Sequence, residues 1–190
     1  NTLGHFKAKE LLPFTEKAIE DEKTHKAIRE YLVLFLGNLD TQEPKKLLLK
    51  LYKDGDEDLT IRSYAVNSLA KLKIKDATGE IKSVMGEIEA YSFDKRKDYY
   101  GLYMYSVGAL ASLGDQEAVP KLMNSLRSDN SQVRLKAIMM LKDLKSQKTI
   151  DILKYRMKND SSRKVRKAAR SLLKEFGVDV GEEEKTDDMP

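Results

Sequence analysis

The chain has no cysteine, no tryptophan, two histidines and four prolines among its 190 residues. Without cysteine there can be no disulfide, no thiolate nucleophile and no zinc site built on thiolates. Reducing and oxidising compartments both tolerate a thiol-free chain, so the count assigns neither. His5 and His25 fall on different predicted helices, both read as surface residues, and neither is followed by glutamate. That is too few ligands for a metal centre, so neither metal nor cofactor is expected. The longest apolar run, Tyr31 to Leu36, is six residues, against roughly 20 for a helix that crosses a bilayer. Nucleophilic catalysis would need serine or threonine beside a base, and no segment resembles a nucleophile elbow or a phosphate loop. The chain is therefore read as non-enzymatic, with no catalytic residue. It begins at Asn1 rather than methionine, which leaves two readings open: cytoplasmic, or exported with a leader removed.

What the chain does have is repetition. Five segments beginning at Ile28, Ile61, Leu102, Val133 and Val165 can be laid over one another, with steps of 33, 41, 31 and 32 residues. Four places on stand Leu32, Ala65, Ser106, Ala137 and Ala169, and eight places on Leu36, Leu69, Leu110, Leu141 and Leu173. Eleven places on come Leu39, Leu72, Leu113, Leu144 and Phe176. Apolar positions at 0, 4, 8 and 11 are the buried stripe of an amphipathic helix. A second helix follows each of the first four, with columns Leu48, Ile81, Leu122, Leu153 and Tyr52, Met85, Leu126, Met157. Pro44 and Pro120 sit near the starts of two second helices, where the first turn leaves donors unpaired anyway. Asp, Asn, Ser and Gly clusters mark the breaks. Units of this length stack, because none buries its own face alone.

The runs Asp129 to Leu144 and Leu113 to Leu126 resemble the signature of short HEAT-like repeats of armadillo type, roughly D-x-x-V-R-x-x-A-x-x-x-L-x-x-L-G-D-x-x-A-V-P-x-L. The resemblance covers residues 25 to 177 and implies an all-α fold, a right-handed α-solenoid of about five helix pairs with an N-terminal capping helix. One repeat domain is expected over 1–177, with units starting near 25, 58, 99, 130 and 162. An insertion lies at about 86–98, and 178–190 is expected to be an acidic mobile tail. Residues 5–21, with Leu11, Phe14, Ala18 and Ile19 at helical spacing, supply the cap or the remnant of a cut unit. The insertion, rich in tyrosine and lysine, is either a binding loop or a longer helix with a tolerated loop.

The resemblance also implies that Arg29, Arg62, Arg134 and Arg166, second in their segments, hydrogen-bond to turn groups between units as a structural ladder. An anion-binding row is the alternative. The third unit has Tyr103 there, so the ladder is expected to break beside the insertion. The family includes scaffolds, lyases, hydroxylases and repair enzymes, and fold alone does not choose among them. Repeated His-Glu pairs and groove-lining tryptophans, which mark the hydroxylases and glycosylases of this architecture, are missing.

Positions 2, 3 and 6 of each first helix are expected to look outward. They place Tyr31, Tyr64, Met104, Tyr105, Leu135 and Met139, with Tyr100 one turn before Met104, in an apolar and aromatic strip. Aromatics and methionine are enriched in interface cores, so the leading expectation is a scaffold binding a protein or peptide on its concave side. The competing reading wedges these tyrosines between helices. A second constellation is basic. Residues 154 to 174 carry nine Lys or Arg against the single acid Asp160, and Arg163, Arg166, Lys167, Arg170 and Lys174 share one helix face. It is either a solvated outer face or a surface for nucleic acid or an anionic membrane.

Overall fold

The computed structural model describes residues 8–181. Among them are eleven α-helices and no strand. In order they are α1 (Ala8–Glu20), α2 (Lys26–Leu36), α3 (Lys45–Lys53), α4 (Leu59–Lys71), α5 (Thr78–Ala90), α6 (Phe93–Asp98), α7 (Tyr100–Ser112), α8 (Ala118–Ser125), α9 (Ser131–Met140), α10 (Gln147–Asn159) and α11 (Arg163–Glu175). A 3-10 turn, Lys75–Ala77, precedes α5. Contacts divide the chain into two compact units, Asn1–Asn124 and Ser125–Pro190.

Local chemistry sets where the first helices start. Their N-caps are His25, Asp58, Tyr99, Asn130 and Ser162. The Asp58 carboxylate accepts from the Thr60 and Ile61 N–H groups, the Asn130 side chain from Gln132, and the exposed His25 Nδ1 from Ala27. Each satisfies a donor that helix geometry leaves unpaired. The ends are also patterned. Gly114 and Gly177 adopt positive φ of 95° and 75°, and the N–H of the next residue returns to Leu110 O and Leu173 O at 2.9 Å. Lys73 takes the same left-handed position after α4, at φ 55°, where a Cβ is a strain that glycine avoids.

In the first unit, α4 packs against α2, α3 and α7, and α7 also packs against α5 and α6. Both helices are enclosed nearly all round: Ile61, Arg62, Ser63, Ala65, Val66, Ser68 and Leu69 of α4 are buried, and eight residues of α7. In the second unit α11 packs against both α9 and α10. The columns at 4 and 8 are buried in every unit except for the half-buried Leu32, and Leu48, Ile81, Leu122 and Leu153 of the second helices are fully buried. One hydroxyl network crosses the first core. The Tyr52 hydroxyl lies 2.9 Å from Ser106 Oγ and 3.3 Å from Ile81 O, and burial, partly offset by Ser106 and Arg62, holds its pKa well above the ordinary range for tyrosine.

Two sequence expectations are corrected here. Ile28, first residue of the first stripe, is 54% exposed: α2 is the first of the repeated helices, and its main packing partner is α4, with α1 a lesser one. Phe14 is 74% exposed: the buried residues of α1 are Leu12, Thr15 and Ile19, a stripe rotated by about one position. Residues 86–98 complete α5, break at Tyr91 and Ser92, and then make the short helix α6.

Gly37, the C-cap of α2, lies tightly against α4: an added Cβ would lie 2.5 Å from Ser68 Oγ and 2.8 Å from Ser68 Cα. The Ser68 hydroxyl is fixed by donation to Val33 O at 2.9 Å, and the nearby Cα is backbone, so neither yields cheaply. Gly37→Ala is expected to lower unfolding free energy by about 1–3 kcal/mol, as overpacking does. Urea unfolding followed by circular dichroism measures it.

Candidate functional site: the tyrosine edge and the arginine ties

Position 3 is where the enclosed first helices still reach the surface. Tyr31 of α2 is 65% exposed, while Tyr64 of α4 and Tyr105 of α7 are half-buried. The Tyr64 and Tyr105 rings meet edge to face, 6.1 Å between centroids and 83° between planes, the arrangement aromatic quadrupoles favour. Burial first, and then Tyr64, raises the pKa of the Tyr105 hydroxyl. Tyr100, at the start of α7, is half-buried. Met104 does not join this edge: it is 1% exposed, because α7 is surrounded at position 2 as well as at its core positions. Ser63 and Gly108, also expected to face outward, are buried for the same reason. In the second unit, Met139 of α9 is 55% exposed and Leu135 half-buried.

The arginines have internal partners. Arg29 Nε donates to Ile19 O at 2.7 Å, and its two Nη atoms grip the Glu57 carboxylate at 3.3 and 2.5 Å. Arg62, buried, donates from Nε to Tyr52 O at 3.0 Å. Arg134 donates to both Asp160 oxygens at 2.7 Å and to Ser128 O and Asp129 O. Arg166 reaches Asp160 O at 2.6 Å and Ser161 O at 3.3 Å. Tyr103 breaks the series. Its hydroxyl donates to Glu89 Oε1 at 2.8 Å, where Lys121 Nζ also arrives at 2.9 Å. The bond from Lys121, followed by that from Tyr103, lowers the Glu89 pKa.

The insertion brings aromatics and cations together. Lys95 Nζ sits 3.9 Å from the Tyr91 ring centroid, and Lys97 Nζ 4.3 Å from that of Phe93, which is exposed. Of the α11 candidates, Arg163, Lys167 and Lys174 are exposed, Arg166 is tied as above, and Arg170 Nη2 donates to Gly181 O. Residues 182–190 of the acidic tail, and His5, lie outside the described residues. Among the described residues, no group of three His, Cys, Asp or Glu could hold a metal, and no helix is long and apolar enough to cross a membrane. The exposed Phe14, Ile28, Phe93 and Tyr155 were not singled out as surface residues by the periodicity. Tyr155, outside both buried columns of its helix, is the one that spacing alone could have found.

First helices that begin at near-regular steps, four of them tied back by arginine to the helix or turn before, are the pattern of a helical-repeat protein. Residues 99–174 match the HEAT repeats family, and this match with the all-helical structure fits a HEAT-like repeat protein. No curated protein matches the chain. HEAT repeats commonly mediate protein–protein interaction, and the family is generally of the non-enzymatic scaffold type.

The Arg134–Asp160 pair is the most enclosed charge contact here, with side-chain exposures of 6% and 0%. Burial alone would raise the Asp160 pKa. The bond from Arg134, the Ser162 N–H and the charges of Arg134 and Arg156 together bring it below its ordinary 3.8. A depressed carboxyl contributes stability that is complete above the unfolded value, and loses it as pH falls through the folded one. Urea midpoints are therefore expected to fall steeply below about pH 3.8, and less steeply in Asp160→Asn. At neutral pH, Arg134→Met is expected to cost about 3 kcal/mol, the low end for breaking a buried pair, because Arg156 and Ser162 still serve Asp160.

Proposed function

We propose that this protein is a non-catalytic scaffold that captures a protein or peptide segment along the tyrosine edge of α2, α4 and α7. In this reading its helices wind as a right-handed solenoid of about five HEAT-like repeats, with α1 as the N-terminal cap, α2–α3, α4–α5, α7–α8 and α9–α10 as pairs and α11 as the first helix of the fifth, in one repeat domain over 1–177. The observation that carries the reading is the recurrence of tyrosine at position 3 of three successive first helices, one strongly exposed and two forming an edge-to-face pair. An aromatic ring presented from a rigid helix gives contact area at little cost in side-chain entropy, and aromatic side chains dominate interface energetics. Tyr100 flanks the edge at the start of α7. In the second unit, taken by itself, Leu135 and Met139 of α9 are the corresponding apolar residues. Half-buried Glu30, two residues into the first segment, supplies charge beside Tyr31 that selects orientation in the bound segment.

Peptides selected from a random library against the full chain are expected to lose about tenfold or more in affinity, by isothermal titration, on Tyr31→Ser or Tyr64→Ser. The exposed Tyr31 change should leave the melting temperature unaltered, which separates loss of docking from loss of fold. Selected peptides that bind both variants as tightly as the unaltered chain would overturn the reading.

A further inference from the structure

We propose that the outer face of α11 docks on the phosphate backbone of a DNA duplex without reading its sequence. The charge of the chain is divided unevenly. Residues 1–124 hold 19 Lys or Arg against 20 Asp or Glu, and residues 125–190 hold 16 against 11. Within α11 itself there are six bases and one acid, Glu175, which lies 3.8 Å from Lys142.

The two units also treat their cations differently. In the first, exposed lysines meet carboxylates about one repeat away: Lys26 with Asp58 at 2.7 Å, Lys50 with Glu20 at 2.6 Å, Lys82 with Asp115 at 2.6 Å, Lys121 with Glu89 at 2.9 Å. On α11, Arg166 and Arg170 bond to backbone carbonyls, which orient a guanidinium without neutralising it. Lys164, Lys167 and Lys174 are exposed and have no carboxylate partner among the described residues.

The composition of the face selects the partner. The apolar side of α11 is enclosed, with Val165, Ala169 and Leu173 fully buried, so no hydrocarbon is left to enter a bilayer. Its outer side has no aromatic or methionine to anchor a protein interface. What remains is a straight row of cations, suited to a dense and regular anion. From Arg163 to Lys174 the helix runs about 16 Å, over which a duplex carries about ten phosphates. A B-form major groove admits a helix, whereas the deep, narrow groove of A-form RNA does not.

Fluorescence anisotropy of a labelled DNA duplex of arbitrary sequence, with the full chain across a potassium chloride series, tests this. Binding at low salt is expected, with log K falling against log salt at a slope of about −3 to −4, as for four neutralised phosphates. The double change Lys167→Glu and Lys174→Glu should weaken binding by about tenfold or more and flatten the slope, with helicity kept. Lys167→Gln and Lys174→Gln serve if the reversal unfolds α11, and Tyr31→Ser should leave DNA affinity unchanged. No binding at low salt, equal binding by the altered chains, or preference for phosphatidylserine vesicles or polyglutamate over the duplex would each overturn the proposal.

Discussion

The rest of the structure depends on how a guanidinium near the start of four of the five first helices is satisfied as it is drawn wholly or partly out of water. A buried positive charge is costly unless its N–H groups find acceptors. A helix end has the opposite problem, because its last carbonyls have no partner of their own. Arg29 and Arg62 join the two, donating to Ile19 O and Tyr52 O, each the penultimate residue of the helix before. Arg134 and Arg166 reach instead to carbonyls of the connecting turns, six residues back. In each case the chain's re-entry into helix is tied to its previous exit. That tie determines where the next stripe begins, so that Ala65, Leu69, Ala137, Leu141, Ala169 and Leu173 all fall in a core.

Third in the series, Tyr103 shows what the tie requires. A phenol cannot imitate a guanidinium, and its single donor goes to a carboxylate, Glu89, fourteen residues earlier on α5. Lys121 neutralises that carboxylate from the other side. The contact therefore depends on side chains alone, where every arginine of the series also reaches a backbone carbonyl. It stands beside α6, at the only irregular step of the repeat.

Periodicity made the first-helix starts and the columns at 4 and 8 legible, because burial repeats wherever a neighbour repeats. It records which face of a helix is apolar, and not whether anything covers that face. Ile28 and Phe14 are exposed for that reason, and Met104 is enclosed for the converse one. Position 3 could be read as outward since even a helix packed on three sides keeps one line of sight to solvent, at Tyr31, Tyr64 and Tyr105. Gly37 gave no sign in one dimension. Its φ of −70° is open to any residue, and only the approach of Ser68 excludes a side chain.

The ion pairs Lys50–Glu20, Lys26–Asp58, Lys82–Asp115 and Lys121–Glu89 join residues 30, 32, 33 and 32 positions apart. Singly, such exposed pairs add little stability. Collectively they act as a ruler, since one residue gained or lost inside a helix would turn every later partner by about 100°. Heritable changes of length are thereby confined to turns or to whole units. Across the longer step before α7, where Phe93–Asp98 fold as the separate helix α6, Lys82 and Lys121 still meet Asp115 and Glu89, so the added length is taken up between the paired residues and not by their pairing.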